Sequence, residues 1–162
     1  MPKTGEIESK FWKALKSDMT MMVGLYGIDE GHSRPMTAQL LDEQGAIWFF
    51  ASSDSTIVEN VARERGAVAT FAAKGHDVFA AIPGEITLDM NPKTIDGLWT
   101  PFVAAWFPGG RTDAKLRLLR FDADRAEIWL DGSSLLSGLK MLIGIDAKQH
   151  FKNDTAKVQL NR

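Results

Sequence analysis

Two acidic-glycine breaks, Asp29-Glu30-Gly31 and Asp42-Glu43-Gln44-Gly45, cut the first third of the chain into short apolar runs at residues 19–28, 34–41 and 46–51. Runs of strand length separated by turn residues predict strands joined by hairpins. Linkers this short cannot carry the crossover that a parallel pair needs, so the pairing must be antiparallel. The pattern continues with a strand over 67–73 and a longer one over 78–90, broken at Pro83-Gly84. A proline cannot donate to a ladder, so an edge or a bulge is expected there. A last hairpin is predicted from 116–121 and 126–130, joined at Asp122-Ala123-Asp124.

Helical spacing punctuates this series. Ile7, Phe11, Trp12 and Leu15 predict a helix over 4–18 with Thr4 as its cap. The run Ser52-Ser53-Asp54-Ser55-Thr56 starts a second, carrying Ile57, Val58, Val61 and Ala62 up to Gly66. A third runs from Asn91-Pro92 through Leu98 and Trp99 towards Trp106, ended by Pro108-Gly109-Gly110. A fourth is expected over 134–150, followed by a polar tail predicted to be mobile. The fold class is therefore α+β: one domain over 1–162, an antiparallel Greek-key barrel with flanking helices and a core over about residues 10–132.

Composition removes several functions. The 162 residues include no cysteine, which excludes thiolate nucleophiles, disulfides, Cys-ligated zinc and iron–sulfur clusters. Nineteen basic residues against 21 acidic ones give a net charge of −2, which argues against nucleic-acid binding through bulk basicity. The three histidines, His32, His76 and His150, are scattered rather than set at ligand spacing, so no metal is expected. No phosphate-loop, nucleophile-elbow or dinucleotide fingerprint occurs. Residues 1–10 carry charge without an apolar core, and the uncharged stretch from Gly97 to Gly110 holds two prolines. A cytoplasmic protein is the expectation. Redox chemistry, if present, would have to come from a bound cofactor.

Two segments stand out as a candidate site. Ser33-Arg34-Pro35-Met36-Thr37 begins one strand; Trp48-Phe49-Phe50-Ala51-Ser52-Ser53 runs straight into a hydroxyl-rich helix start. Pairing through the Asp42–Gly45 turn would bring Arg34–Thr37 close to Phe49–Ser52. A cation, hydroxyls and helix-start amides would then converge as a phosphate requires. Core packing accounts for Trp48, Phe49 and Phe50 equally well, and a buried helix face accounts for Trp99, Phe102, Val103, Trp106 and Phe107.

The order and spacing of Gly31-His32-Ser33-Arg34-Pro35-Met36, Gly45-Ala46-Ile47-Trp48-Phe49-Phe50-Ala51-Ser52, the strand 67–73, Ile82-Pro83-Gly84-Glu85-Ile86, Trp106-Phe107-Pro108-Gly109-Gly110 and Ala126-Glu127-Ile128-Trp129 resemble the pyridoxamine 5′-phosphate oxidase-like split-barrel flavoproteins, especially their bacterial general stress protein branch. The resemblance spans residues 10–132. It implies a split β-barrel homodimer with FMN (FAD as the alternative) at the subunit interface. Arg34, Pro35, Met36 and Thr37 would line the flavin, with Arg34 near ribityl or phosphate oxygens. Phe49, Phe50 and Ala51 would lie against ring or ribityl, and Ser52, Ser55 and Thr56 at the phosphate. Trp106 would approach from the partner copy. Ile57 occupies the position where the family usually carries a phosphate-neutralising lysine, and Asp54 adds a negative charge beside it. The Arg-x-His substrate signature of true pyridoxamine phosphate oxidases is absent, so oxidation of vitamin B6 is not implied. The function implied is a stress-related, FMN-dependent oxidoreductase acting on a small molecule; the alternatives are a non-catalytic flavin carrier or sensor, and a flavin-free or haem-binding relative.

Overall fold

A computed structural model describes residues 3–131 and 155–160. The chain order is α1 (Thr4–Asp18), β1 (Thr20–Leu25), β2 (Arg34–Thr37), β3 (Gln39–Leu40), β4 (Ile47–Ser52), α2 (Thr56–Asn60), β5 (Gly66–Ala72), β6 (Val78–Leu88), α3 (Pro92–Leu98), α4 (Pro101–Trp106), β7 (Leu116–Ala123), β8 (Arg125–Leu130) and β9 (Thr155–Gln159). All pairings are antiparallel, in the order β2-β1-β5-β6-β7-β4-β3, with β8 on β6 and β9 on β8. The strands form a nearly closed, split barrel with a seam between β2 and β4. The expected helix over 134–150, His150 included, lies outside the described residues, as do residues 151–154 and 161–162 of the C-terminal tail. No described helix is long and apolar enough to cross a membrane.

The helix α1 keeps its expected bounds because its apolar stripe is real: Ile7, Phe11, Trp12 and Leu15 are all buried against the barrel core. Its cap differs from the expectation. Thr4 is already helical, and the preceding Lys3 N–H donates to the Glu6 carboxylate at 2.9 Å. The next run is a shorter strand than its apolar length suggests, ending at Leu25. Gly24 sits inside it for steric reasons, since a Cβ there would lie 2.8 Å from the His32 carbonyl oxygen.

Three expectations fail, each for a non-local reason. The segments 116–121 and 126–130 make no hairpin. Both pair with β6, end to end: Gly84 opposes Ala123 and Ala81 opposes Glu127, so three steps along β6 face four along β7–β8. Asp122-Ala123-Asp124 is thus a β-bulge in one bent strand, not a turn. Pro83 does not break β6 either; the bulge expected there lies on the facing strand. It pairs with Val68 of β5 on one side, and on the other its carbonyl accepts from the Asp124 N–H at 3.0 Å, opposite the bulge. The missing proline donor therefore falls at the point where β6 exchanges β8 for β7. The tail expected to be mobile contains β9, an edge strand whose Val158 packs inward while its neighbours stay more exposed, so its composition reads as polar.

The predicted long helix towards Trp106 is two helices. Thr100 is extended (φ −134°, ψ 162°) before Pro101 and caps α4 through its hydroxyl, which accepts from Val103 N–H at 3.2 Å. Proline disfavours a helical residue before it, which explains the break. Both helices cover the outer side of β4 and β7: Ile95, Leu98, Val103 and Phe107 pack with Trp48, Leu116 and Leu118. Successive side chains of a strand point to opposite faces. Ile47 and Phe49 therefore enter the barrel core while Trp48 and Phe50 meet α3 and α4, so the aromatic run of β4 is buried on two sides.

The bulge corner is a sharp stability test. A Cβ on Gly84 would fall on the Asp122 carbonyl oxygen, with Phe121 2.9 Å and the Ala123 Cα 3.1 Å away. Gly84→Ala is expected to destabilise by about 1–3 kcal/mol. Gly45→Ala, whose Cβ would meet nothing closer than 4.0 Å, is expected to stay within about 0.5 kcal/mol of the parent. Urea unfolding of both variants checks the contrast.

Candidate functional site

The expected strand 34–41 is cut at Ala38, which is buried and whose N–H donates to the Met19 carbonyl at 2.6 Å. Only its second part pairs as anticipated, Gln39 with Trp48 and Leu40 with Ile47. Its first part, β2, ladders with β1 instead, Arg34 opposite Val23 and Met36 opposite Met21. Arg34–Thr37 and Phe50–Ser52 therefore meet across a gap without a ladder, and that gap is a cavity of about 500 Å³. Small-molecule sites commonly have this size, apolar walls and a few convergent polar groups.

One wall comes from β2 with Arg34, Pro35, Met36 and Thr37, and from Gln39 beyond the break. The opposite wall is the end of β4, Phe50, Ala51 and Ser52, continuing to Ser55 and Ile57. The mouth is formed by Phe102, Val103 and Trp106 of α4 with Phe107 and Pro108. Asp113 and Lys115, on the approach to β7, complete the polar end. Trp106 lines the cavity of its own chain and is 72% exposed, with Phe102 at 57% one helical turn before it. The face of α4 is thus divided, with Val103 and Phe107 buried and Phe102 and Trp106 open.

Ten of the twelve residues singled out from the sequence line this space; Phe49 and Thr56 do not. Phe49 is fully buried in the barrel core, on the far face of β4. Thr56 is exposed on α2, where its carbonyl accepts from the Asn60 side chain at 2.8 Å. The helix expected to reach Gly66 is only the five residues Thr56–Asn60, and its N-cap Ser55 makes no side-chain capping bond. Its dipole is correspondingly small, so the expected contribution of a helix start to anion binding is weak. Of the polar lining residues, sequence reasoning missed Gln39, Asp113 and Lys115. A polar residue inside the 34–41 run was a usable signal for Gln39. Nothing local marks Lys115, which arrives through the pairing of Ser52 with Leu116 and the bond from Ser53 N–H to its carbonyl (2.8 Å).

The cations of the site are already paired. The Arg34 guanidinium donates to both carboxylate oxygens of Asp29, at 2.7 and 2.6 Å, and to the Val23 carbonyl at 3.3 Å. It is therefore held to the β1–β2 connection and is not a free group aimed at α2. The Arg34 side chain beside Asp29 holds that carboxyl below the usual aspartate range, against the opposing effect of burial. Lys115 Nζ lies 3.1 Å from Asp54 Oδ2, and Ser52 Oγ donates to Asp54 Oδ1 at 2.5 Å; these bonds, the serine's first, hold the Asp54 carboxyl low. Asp113 is held low by the backbone N–H groups of Lys115 (2.9 Å) and Gly109 (2.8 Å). Ser55 Oγ donates to the Ser52 carbonyl at 2.6 Å. Arg111 lies outside the cavity wall, paired with Asp96 at 3.1 Å and 5.5 Å over the Trp99 ring.

A second hollow of about 690 Å³ lies among Lys10, Lys13, Asp18 and Asp77. It has no aromatic wall and holds none of the residues singled out above.

Residues 6–152 match the family model described as pyridoxamine 5′-phosphate oxidase like. Among solved structures, the chain is 51% identical to a protein of Xanthomonas campestris pv. campestris assigned to the general stress family, covering 83% of this chain and 93% of that one with a TM-score of 0.78. It is 52% identical to the general stress FMN/FAD binding protein of Xanthomonas citri, covering 81% and 93% with a TM-score of 0.76. A protein of Jannaschia sp. CCS1 assigned as general stress protein 26 is 25% identical over 97% of this chain and 99% of that one, with a TM-score of 0.76. No curated protein matches the chain.

The Asp29–Arg34 pair gives an acid-dependent prediction. The Asp29 side chain is 6% exposed and that of Arg34 19%. Asp29→Asn is expected to cost about 1.5–3 kcal/mol at neutral pH. A lowered carboxyl pKa stabilises fully above the ordinary aspartate value of about 3.9 and is lost as pH falls through the folded value. The deficit of the variant should therefore close as the pH is taken from about 5 towards 2. Urea unfolding across that range checks it, and a pH-independent deficit contradicts the assignment.

Proposed function

This chain belongs to the pyridoxamine 5′-phosphate oxidase-like family, and from that membership and the seam cavity we propose that it binds a flavin mononucleotide and serves as a stress-related, flavin-dependent oxidoreductase for a small molecule. The observation that carries the reading is the cavity itself. It has apolar walls at Met36, Phe50, Ile57 and Val103, polar groups on the β2 side at Arg34, Thr37 and Gln39, and a second polar group at Ser52, Ser55, Asp113 and Lys115. A flat ring with an anionic tail needs that division. The relative named as an FMN/FAD binding protein, half identical over most of both chains, supports the same ligand class.

In this reading the walls orient the ring and exclude water, while the Ser52 hydroxyl, turned from Asp54, meets the oxygens of the tail and Ser55 keeps its own bond to the Ser52 carbonyl. A bound isoalloxazine supplies the exchange of electrons or hydride; the chain's residues supply position. Asp113, kept ionised by two N–H donors, is no proton donor at neutral pH. The same cavity serves a second reading, a carrier or sensor that holds flavin without turnover. We also propose that two copies associate over the cavity mouth, since Phe102 and Trp106 stand open beside it.

Protein as purified, or after FMN addition, is expected to absorb near 450 nm and to quench FMN fluorescence. No response at high-micromolar FMN contradicts the reading. Rapid stopped-flow reduction by NADH or NADPH marks the enzyme, whereas reduction by dithionite alone marks the carrier. Light scattering should give twice the 17.9 kDa chain mass. Trp106→Ala should weaken FMN binding by about 0.5–1.5 kcal/mol, the size of an aromatic contact beyond its area.

A further inference from the structure

The position where a family lysine is expected, Ile57, is 1% exposed and packs into the barrel core, so no cation reaches the polar end of the cavity from α2. The pairing of β4 with β7 brings a different one. Lys115 lines the cavity beside Ser52 and Ser55, and its ammonium rests on Asp54. The two cation–carboxylate pairs at the site differ in kind. Arg34 and Asp29 form a two-bond, largely buried pair. Lys115 and Asp54 share one contact, with side chains 67% and 65% exposed. An exposed single-contact pair contributes little and exchanges easily for a better anion.

We propose that Lys115 is the phosphate-binding cation of this chain, leaving Asp54 for the terminal phosphate monoester of a flavin mononucleotide, and that Asp54 competes with that phosphate and sets how strongly the site prefers phosphorylated over unphosphorylated flavin. The proposal rests on the flavin-binding reading above. The main-chain bonds of residue 115, its N–H to Asp113 and its carbonyl to Ser53 N–H, fix the backbone while the side chain swings. The hydroxyl turn of Ser52 stays in place on either partner, because Ser55 holds its carbonyl.

The test compares FMN with riboflavin on the full chain by fluorescence titration, with thermal melts to show that each variant is folded. Lys115→Gln is expected to weaken FMN binding roughly ten- to hundredfold, as for a lost charge-assisted contact, while riboflavin changes by less than about twofold. Lys115→Arg should retain most of the preference. Asp54→Asn should tighten FMN roughly two- to fivefold, the scale of an exposed ion pair, and leave riboflavin unchanged. Added salt should erode the preference for FMN in the parent chain more than in Lys115→Gln. If FMN binds and Lys115→Gln leaves the FMN-to-riboflavin ratio unchanged, this assignment is overturned and the flavin reading stands. If neither ligand binds the parent chain, both are overturned.

Discussion

A residue without an N–H, Pro83, faces a strand that has one residue too many. The bulge at Asp122-Ala123-Asp124 bends β7–β8 at that point, and the two halves part company on their far side, β7 pairing with β4 and β8 with β9. Gly84 has no side chain because the Asp122 carbonyl fills the space. β4 lies along residues 116–121 and β9 along residues 125–129, one on each side of the bend.

The seam then decides the chemistry. β2 hydrogen-bonds to β1 and turns its other side to β4 without a ladder, so main-chain groups and side chains of both strands border a cavity instead of each other. The aromatic run of β4 is consumed by packing, Phe49 inside the barrel and Trp48 under α3 and α4. Phe50 alone of the three lines the cavity. Charge at the site is nearly self-compensated, since each lining cation already has an aspartate. The cavity is therefore not an electrostatic funnel; selectivity for an anionic tail depends on which internal pair gives way.

What the sequence made legible follows from locality. The amphipathic α1, the strands flanked by acidic-glycine turns and the hydroxyl turn at 52–55 are each specified by residues within a few positions of one another. The break before Pro101 was also locally written, in the rule that a residue before proline avoids helix. The family resemblance, carried by motif order, placed most of the wall residues. Three features were not legible. Asp-Ala-Asp reads as a turn unless β6 is known to lie opposite. Val158 alternates in a strand only once β8 is there to pair with it. Lys115 lies 58 positions beyond Ile57, and only the register of β4 on β7 makes it a neighbour of Ser52.

Asp113 ties the loop that follows the cavity mouth to the strand that carries its cation, one carboxylate oxygen on Gly109 and the other on residue 115. Rim and floor are in this way fastened to a common rivet. The lysine's main chain is thereby pinned to the same carboxylate that holds the rim, so its ammonium can change partners without carrying the backbone with it.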